Sequence, residues 1–339
     1  MRKKILYTIL ILFLLFFSLL NYIAYNHSYN FTHYADVKEN KLKVTDTSSI
    51  SWKKKLGYIL KGVEVPRPKN HITPSFKYDT KYISTPKGNL EVWQSKFKIS
   101  RGTIIMFHGY ANRKSSLISR SKEFISLGYN VMLVDFLGSG GSDGNTVSIG
   151  YYEADQVKVC IDELIQQGEQ NIYLFGISMG AVASMKCVND YQPNIKGLIV
   201  ECPFGYFKTT VKNRFKNFGV PTFPMADLLM LWGSYHTGYS TYSHNPVDYA
   251  NNIHCPTLVL LGEKDHAVSK KEIDDIYANL KGEKFLKTFS ETGHDIYIPK
   301  NEEQWSNTMI DFMVSTKTLG TEYRETSPFY LDEGELTGH

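Results

Sequence analysis

Residues 171–181 read NIYLFGISMGA, in which an unbroken apolar run leads directly into the pattern Gly-x-Ser-x-Gly. An unbroken apolar run of this length is typical of a strand buried on both faces of a parallel sheet. The segment that follows predicts a helix, so the serine stands on a sharp strand-to-helix turn above the sheet. The stretch therefore predicts Ser178 as a nucleophile, with Gly176 and Gly180 allowing the close backbone approach that such a turn needs.

Further apolar runs of the same kind lie on either side of this stretch, and amphipathic segments separate them. The runs are residues 103–107, 130–136, 196–200 and 257–261, and the helical segments are 115–127, 150–167 and 179–191. This alternation predicts βαβ units with right-handed crossovers. The predicted fold class is α/β, with a mostly parallel, doubly wound sheet and helices on both faces. Ligands of such sheets bind beyond the carboxyl ends of the strands, so residues just after each run are candidates for chemistry.

Serine is a weak nucleophile without a positioned base, and His294 is the candidate for that base. It follows the strand-like run 285–289 and lies on a predicted loop. Asp265 comes shortly after the run 257–261, and the order Ser, Asp, His along the chain is the one this architecture uses. Glu201 ends another run and is a competing acid. We favour Asp265.

The strand-like run 103–107 leads into His108, Gly109 and Tyr110. A tight glycine turn there can direct the backbone N–H of Tyr110 towards the nucleophile. Together with the N–H of Met179 it predicts an oxyanion hole. His108 itself is interpreted as structural.

Residues 204–250 form an insertion that is too long for a simple connection, and we predict a helical cap. Its aromatic side chains are candidates for lining an acyl pocket, chiefly Phe204, Phe207, Phe223 and Trp232. Its carboxylates are Asp227 and Asp248 alone, against several basic residues. An aminopeptidase benefits from carboxylates that hold a substrate ammonium, so this composition favours an apolar or anionic substrate.

The first 25 residues predict a membrane address. Basic residues at positions 2–4 precede an apolar run at 5–20, which Tyr22 and Tyr25 extend towards a bilayer core of roughly 30 Å. No small-residue cleavage pattern follows, so we expect an uncleaved signal anchor with the catalytic domain on the non-cytoplasmic side. A cleaved signal peptide, which would give a secreted or periplasmic protein, and a merely buried helix are the alternatives.

Two segments flank the predicted catalytic domain, which spans residues 81–315. Residues 26–80 predict a stalk and an N-terminal helical layer, in which Trp52, Leu56, Ile59 and Val63 recur at helical spacing among lysines. We expect this helix to pack on the domain, and the alternative is a basic helix on anionic lipid. Residues 316–339 are polar and predict a loose C-terminal tail.

Composition excludes several classes of protein. The formal net charge is only +4, which does not favour nucleic acid as a partner. The 4 cysteines lack metal-site spacing, so we expect no metal. We interpret them as buried free thiols, with a Cys160–Cys187 bridge as the alternative.

Several motifs together give a family resemblance. These are His108-Gly109, the turn DFLGSGGS at 135–142, the pentapeptide around Ser178, the segment ending in Asp265, and Gly293-His294. Over about residues 81–314 the chain resembles α/β-hydrolases of the serine aminopeptidase and monoacylglycerol-lipase type. That family often has a basic residue and a histidine where this chain has Leu137 and Ser139. The resemblance implies a catalytic domain that needs no cofactor.

The function predicted from the sequence is hydrolysis of carboxylic esters, with a lipid-like or small acyl substrate and an acyl-enzyme intermediate. A peptidase or amidase that uses the same three residues is the alternative. A non-catalytic binding module is the third reading, and it is the weakest because every position needed for chemistry holds a competent residue.

Overall fold

A computed structural model describes residues 2–37, 52–217, 221–294 and 298–316. Its centre is an eight-stranded sheet with the order β10-β9-β8-β7-β5-β6-β4-β3. The strands are β3 (Asp79–Thr85), β4 (Gly88–Gln94), β5 (Thr103–Phe107), β6 (Asn130–Val134), β7 (Ile172–Ile177), β8 (Gly197–Glu201), β9 (Thr257–Gly262) and β10 (Lys284–Phe289). A separate parallel pair joins β1 (Tyr34–Ala35) to β2 (Val65–Pro66).

The sheet is parallel except for β4, which pairs antiparallel with both β3 and β6. All residues of β5, β6, β8 and β9 are buried, as expected for strands covered on both faces. The predicted fold class and the runs that gave it are confirmed. The hairpin of β3 and β4 was not predicted, because β3 lies at the edge of the sheet and most of its residues are exposed or half-buried.

Helices cover both faces of the sheet. The helices are α1 (Arg2–Thr32), α2 (Trp52–Lys61), α3 (Ile118–Ser126), α4 (Glu153–Gln166), α5 (Met179–Tyr191), α6 (Phe207–Asn217), α7 (Met225–Thr237), α8 (Pro246–Tyr249), α9 (Lys270–Asn279) and α10 (Ile298–Ser315). Side chains of α4, α5 and α9 belong to one buried cluster, and those of α3 and α10 belong to the other. The sheet is therefore doubly wound.

A buried ion cluster fixes the loop that follows β6. The Lys114 ammonium is fully buried and contacts the carboxylates of Asp135 and Glu91. Asp135 also accepts hydrogen bonds from the backbone N–H of Lys114, at 2.7 Å, and of Gly141, at 3.0 Å. These bonds account for the turn at 135–142 as local structure.

Helix α1 has two different halves. Residues 2–19 are exposed all round, whereas Ala24, Ser28 and Thr32 are buried. Residues four apart lie on one helix face. That face belongs to the half of α1 that packs beside α7, where the Trp232 indole donates to the Asn21 side chain at 3.2 Å. The helix thus continues past residue 25 and packs against the cap. The sequence analysis had placed the start of a stalk at these residues.

Helix α2 is attached to α1 through its last turn. The ring nitrogen Nε2 of His27 lies 2.9 Å from the Ile59 carbonyl, and the Asn30 amide donates to the Lys61 carbonyl at 2.7 Å. Carbonyls at a helix C-terminus have no partner within the helix, so these bonds satisfy them. The predicted apolar stripe is exposed rather than packed on the domain: Trp52, Leu56 and Ile59 of α2, and Val63 just after the helix.

The described residues leave out parts of both flanking segments and include all four cysteines. Residues 38–51, within the predicted stalk, and residues 317–339, which make up nearly all of the predicted tail, lie outside the described residues. Cys160, Cys187, Cys202 and Cys255 are all unpaired, and Cys160 and Cys187 are buried thiols rather than a bridge. Among the described helices, α1 is the one long and apolar enough to cross a membrane.

Candidate active site

Ser178 occupies a sharp turn between β7 and α5. Its backbone has φ 49° and ψ −110°, in the region of positive φ that non-glycine residues rarely adopt. A Cβ on Gly176 would lie 2.4 Å from the Gly180 carbonyl oxygen, and a Cβ on Gly180 would lie 2.5 Å from the Phe107 carbonyl oxygen. Close backbone contact therefore leaves no room for a side chain at either glycine.

The structure brings Ser178, His294 and Asp265 together in one hydrogen-bonded series. The serine Oγ lies 3.0 Å from His294 Nε2, and His294 Nδ1 lies 2.8 Å from Asp265 Oδ2. The Asp265 side chain is fully buried. Its other oxygen accepts from the backbone N–H of Ala267 at 2.7 Å and of Val268 at 2.9 Å. Asp265 is thus held rigidly in place, and it fixes the proton of His294 on Nδ1 with Nε2 free to accept from the serine.

The surroundings of His294 favour its protonated form. A charge on the neighbouring Cys202 sulfur would raise the pKa of His294 most, the hydrogen bond to Asp265 also raises it, and burial lowers it. Burial raises the pKa of the Cys202 thiol, so at neutral pH this group is a neutral hydrogen-bond donor. The carboxylate of Asp265 is then the negative charge that stabilises an imidazolium at this position.

Cys202 is a site neighbour that the sequence analysis did not identify. It follows β8 directly, with φ 45°, and its Sγ donates to the His294 carbonyl at 2.8 Å. Its position just beyond the carboxyl end of a strand is the sequence feature that could have identified it as a site neighbour. Within the described ranges, Cys202, Asp265 and His294 are the one group whose ligand atoms lie close enough to hold a metal ion, within 4.8 Å of one another. The hydrogen bonds just described account for all of these groups.

Glu201, the competing acid, has other partners. Its buried carboxylate forms an ion pair with Arg120, whose Nε donates at 3.1 Å, and it accepts from the Trp305 indole at 3.4 Å. Its backbone carbonyl accepts from the Ser178 N–H at 2.8 Å. Glu201 therefore supports the strand and the turn beside it, and its carboxylate is occupied away from His294.

The residues predicted for the oxyanion hole lie at the same edge. Met179 is the first residue of α5, where a backbone N–H has no partner within the helix. Tyr110 comes shortly after β5, and a Cβ on neighbouring Gly109 would lie 3.6 Å from Ser178 Cβ. His108 is fully buried, with Nδ1 2.8 Å from the Gly109 carbonyl and Nε2 accepting from the Phe136 N–H at 3.2 Å. Both ring nitrogens are engaged, in agreement with a structural role.

The four cap candidates lie in three different environments. Phe204 and Phe207 are buried together, with ring centroids 5.7 Å apart. Phe223 is 79% exposed. Trp232 packs edge-on against Tyr25 of α1 at 5.1 Å. The structure therefore places the four side chains in separate environments, and a role for them in binding an acyl group stays a prediction.

Comparison with known proteins agrees with this fold. Residues 98–247 match the family described as serine aminopeptidase, S33. The Bacillus subtilis protein YqkD is 24% identical over 215 residues, which cover 62% of this chain and 70% of YqkD. The lysophosphatidylserine lipase ABHD12 of Danio rerio is 26% identical over 243 residues, which cover 66% of this chain and 61% of the lipase. The chain thus spans less than two thirds of that relative.

Among solved structures, the Pyrococcus furiosus esterase Pf2001 superimposes with a TM-score of 0.62 at 23% identity. The match covers 75% of this chain and 99% of the esterase, and it shows the shared fold. Together with the sheet order, it shows that the chain has the α/β-hydrolase fold. Over residues 98–247 the chain resembles the serine aminopeptidases.

The assignment of the acid is tested by two amide replacements. Asp265→Asn keeps the shape but loses the charge that holds the His294 tautomer, and we expect kcat to fall by about 10⁴-fold. Glu201→Gln disturbs the buried Arg120 pair instead, so it should lower thermal stability and reduce kcat by no more than about tenfold. Steady-state kinetics with a chromogenic ester and melting curves for both variants make the comparison. The opposite ranking of kcat would reject Asp265.

The pH profile of kcat/KM is a second test. The base must be neutral, and the raised pKa of His294 means that its proton is lost only above the usual value of 6.5. Activity should therefore rise with pH, with the midpoint of the acid limb above 6.5. Asp265→Asn should move that midpoint to lower pH because the nearby charge is gone. A wild-type midpoint below 6.5, with the protein folded throughout the range, would contradict the environment described for His294.

Proposed function

We propose that this protein is a serine hydrolase that cleaves carboxylic esters through Ser178, His294 and Asp265. The observation that carries the proposal is the hydrogen-bonded series from Ser178 Oγ through the two nitrogens of His294 to the buried Asp265 carboxylate. A hydroxyl, an imidazole and a carboxylate in this order form the arrangement that activates a serine for acyl transfer. The position of Ser178 on a strained strand-to-helix turn supports the same assignment.

The proposed reaction has two steps. Ser178 Oγ attacks the ester carbonyl carbon while His294 Nε2 takes the hydroxyl proton, and the carbonyl π electrons move onto oxygen. The C–O bond to the alcohol then breaks, and His294 returns the proton to the leaving oxygen, which leaves an acyl-serine. Water repeats the sequence on that acyl group, releasing the acid and restoring Ser178. Asp265 remains a carboxylate throughout and stabilises the imidazolium in each half.

The backbone N–H groups of Met179 and Tyr110 are proposed to bind the oxyanion of each tetrahedral intermediate. The N-terminus of α5 adds its dipole to the Met179 donor, which favours negative charge at this place. Removing one such donor typically costs about 3 kcal/mol of transition-state stabilisation. Because both donors belong to the backbone, their positions depend on the turn at Ser178 and on the loop that follows β5.

The cap favours an ester over a peptide with a free amino terminus. Asp227 forms an ion pair with Lys208 at 2.6 Å, and Asp248 accepts from the Asn245 amide at 3.3 Å. These are the carboxylates of residues 204–250, and both are engaged within the cap rather than free to hold a substrate ammonium. Among the relatives, the lysophosphatidylserine lipase and the caffeoylshikimate esterase of Arabidopsis thaliana act on esters. Proline iminopeptidase of Elizabethkingia meningoseptica represents the alternative activity.

We further propose that α1 anchors the enzyme in a membrane, with the catalytic domain on the non-cytoplasmic side. The exposed apolar half of α1 supports this, as do the basic residues that precede it. Where α1 meets the cap, Tyr25, Trp232 and Tyr235 form a ring cluster with centroids 5.1 to 6.4 Å apart. Tyrosine and tryptophan are enriched at membrane interfaces, so this cluster suits the place where the helix leaves the bilayer.

The nucleophile is tested by Ser178→Ala together with a fluorophosphonate probe, which forms a covalent bond only with an activated serine. The wild-type protein should react with the probe and hydrolyse p-nitrophenyl esters faster than aminoacyl amides. Ser178→Ala should lose both labelling and ester turnover, falling below about a hundredth of the wild-type rate, while its circular dichroism is unchanged. The matched control is Ser184→Ala, which removes a buried hydroxyl on α5 that bonds only to the Gly180 carbonyl at 2.9 Å. Turnover retained by folded Ser178→Ala would show that the nucleophile lies elsewhere.

The anchor is tested by deleting residues 2–19, the exposed half of α1, while keeping the half that packs on the cap. The full chain should sediment with membranes and resist extraction by high salt, because apolar insertion is insensitive to ionic strength. The deletion should move the enzyme to the soluble fraction with its ester activity retained.

Protease added outside intact producing cells reports the orientation. It should digest the catalytic domain, and complete protection would reverse the proposed topology. Release of the full chain by salt alone would reject membrane insertion.

A further inference from the structure

The end of α1 lies directly against the loop that carries the proposed oxyanion donor. Residues 31–34, which we call the clasp, contact residues 109–111, which we call the oxyanion loop. The Tyr110 hydroxyl donates to the Phe31 carbonyl at 2.8 Å. In the opposite direction, the Ala111 N–H donates to the Tyr34 hydroxyl oxygen at 2.9 Å. These two hydrogen bonds join segments almost eighty residues apart in the sequence, one through the Tyr110 side chain and one through the backbone of the next residue.

Ring packing reinforces the hydrogen bonds. The rings of Phe31 and Tyr110 stack at 4.5 Å, and that of Tyr34 lies 5.9 Å from Tyr110. The Arg214 guanidinium, from α6 of the cap, lies 4.5 Å from the Phe31 ring and 5.5 Å from the Tyr110 ring. Cap, clasp and oxyanion loop therefore meet in one stack.

The oxyanion loop needs such support because its backbone is strained. Ala111 has φ 51°, in the left-handed region that disfavours side chains with a Cβ. The hydrogen bond from its N–H to Tyr34 is made at that strained residue, directly after Tyr110. A strained conformation persists only when its surroundings fix it, and such residues cluster at functional sites.

The clasp is itself firmly held, so it can act as a support. Tyr34 is buried, and its N–H donates to the Asn145 carbonyl at 2.7 Å. The Thr32 carbonyl accepts from the Val147 N–H at 2.9 Å. Burial raises the pKa of the Tyr34 phenol well above its usual value, so the hydroxyl stays neutral over the working range of a serine hydrolase.

We propose that the clasp positions the oxyanion loop, with Tyr34 as the positioning residue, so that the helix proposed to anchor the enzyme also completes its catalytic site. This inference rests on the proposed function, because it assigns Tyr34 an effect on the Tyr110 donor of that reaction. Tyr34 acts through the Ala111 N–H and touches no substrate. It should therefore affect the tetrahedral intermediate, which the donor binds, more than the ground-state ester.

The test is Tyr34→Phe in the full chain, purified in detergent. The change removes the hydroxyl whose oxygen accepts from the Ala111 N–H, together with its hydrogen bond to the Ser139 side chain. We expect kcat for a p-nitrophenyl ester to fall by about tenfold or more, less than the 10² to 10³ that losing a donor outright costs, with KM within about twofold. The affinity for a trifluoromethyl ketone, whose serine adduct carries an oxyanion, should weaken by the same factor.

The matched control is Tyr277→Phe. The Tyr277 hydroxyl, like that of Tyr34, bonds to a backbone group, here the Lys284 carbonyl at 3.1 Å, but it lies where β10 begins, at the other end of the strands from Ser178. Its kcat and ketone affinity should match the wild-type values. Tyr110→Phe removes the hydrogen bond to the Phe31 carbonyl and keeps Tyr34. It should lower kcat and ketone affinity by as much as Tyr34→Phe or less, with KM little changed.

The outcomes separate the two proposals. If wild type fails to label with fluorophosphonate, or Ser178→Ala keeps its turnover, the proposed function is wrong. If those two behave as expected but folded Tyr34→Phe keeps wild-type kcat and ketone affinity, the clasp proposal alone is overturned. It is equally overturned if the loss of activity in Tyr34→Phe and Tyr110→Phe equals the loss of folded protein measured by circular dichroism, or if KM rises while kcat is unchanged.

Discussion

The close backbone contact around Ser178 is the constraint on which the site depends. At positions 176 and 180 the turn, the neighbouring strand β5 and helix α5 leave no room for a Cβ, so only glycine fits at either position. With that space closed, Ser178 is forced above the sheet, and its N–H is tied to the carbonyl of Glu201 on β8. The residue after Glu201 then reaches the His294 carbonyl. The proposed base and nucleophile are thus positioned by backbone geometry as well as by their own hydrogen bond.

The central sheet could be predicted from the sequence because buried parallel strands leave a local signal. Unbroken apolar runs identified β5 to β9, and the order of strands and helices gave the fold class. The edge hairpin left no such signal, since most of β3 faces solvent. The packing of α1 against the cap could not be predicted from the sequence either. The hydrogen bond between Asn21 and Trp232 joins residues 211 positions apart, and no local pattern near either residue indicates its partner.

The choice between two acids shows where spacing stops being informative. Asp265 and Glu201 both stand at or just beyond the carboxyl end of a buried strand, so sequence order alone allows either to reach the base. Their partners distinguish them: Arg120, from α3 on the face that packs with Trp305, neutralises Glu201, whereas Asp265 meets His294 and backbone N–H groups. A buried carboxylate needs a compensating partner, and which partner it finds is decided by tertiary packing.

The length of α1 connects the proposed anchor with the proposed clasp. Its 31 residues, at about 1.5 Å each, extend about 46 Å, whereas a bilayer core takes up roughly 30 Å. The excess corresponds to about eleven residues, which is close to the length of the half that packs on the cap and ends at the clasp. In the proposed arrangement a single continuous helix serves both places without a flexible linker between them. The proposed span would hold the cap at a fixed height above the lipid, and the proposed clasp would transmit the position of the helix to the oxyanion loop through Phe31 and Tyr34.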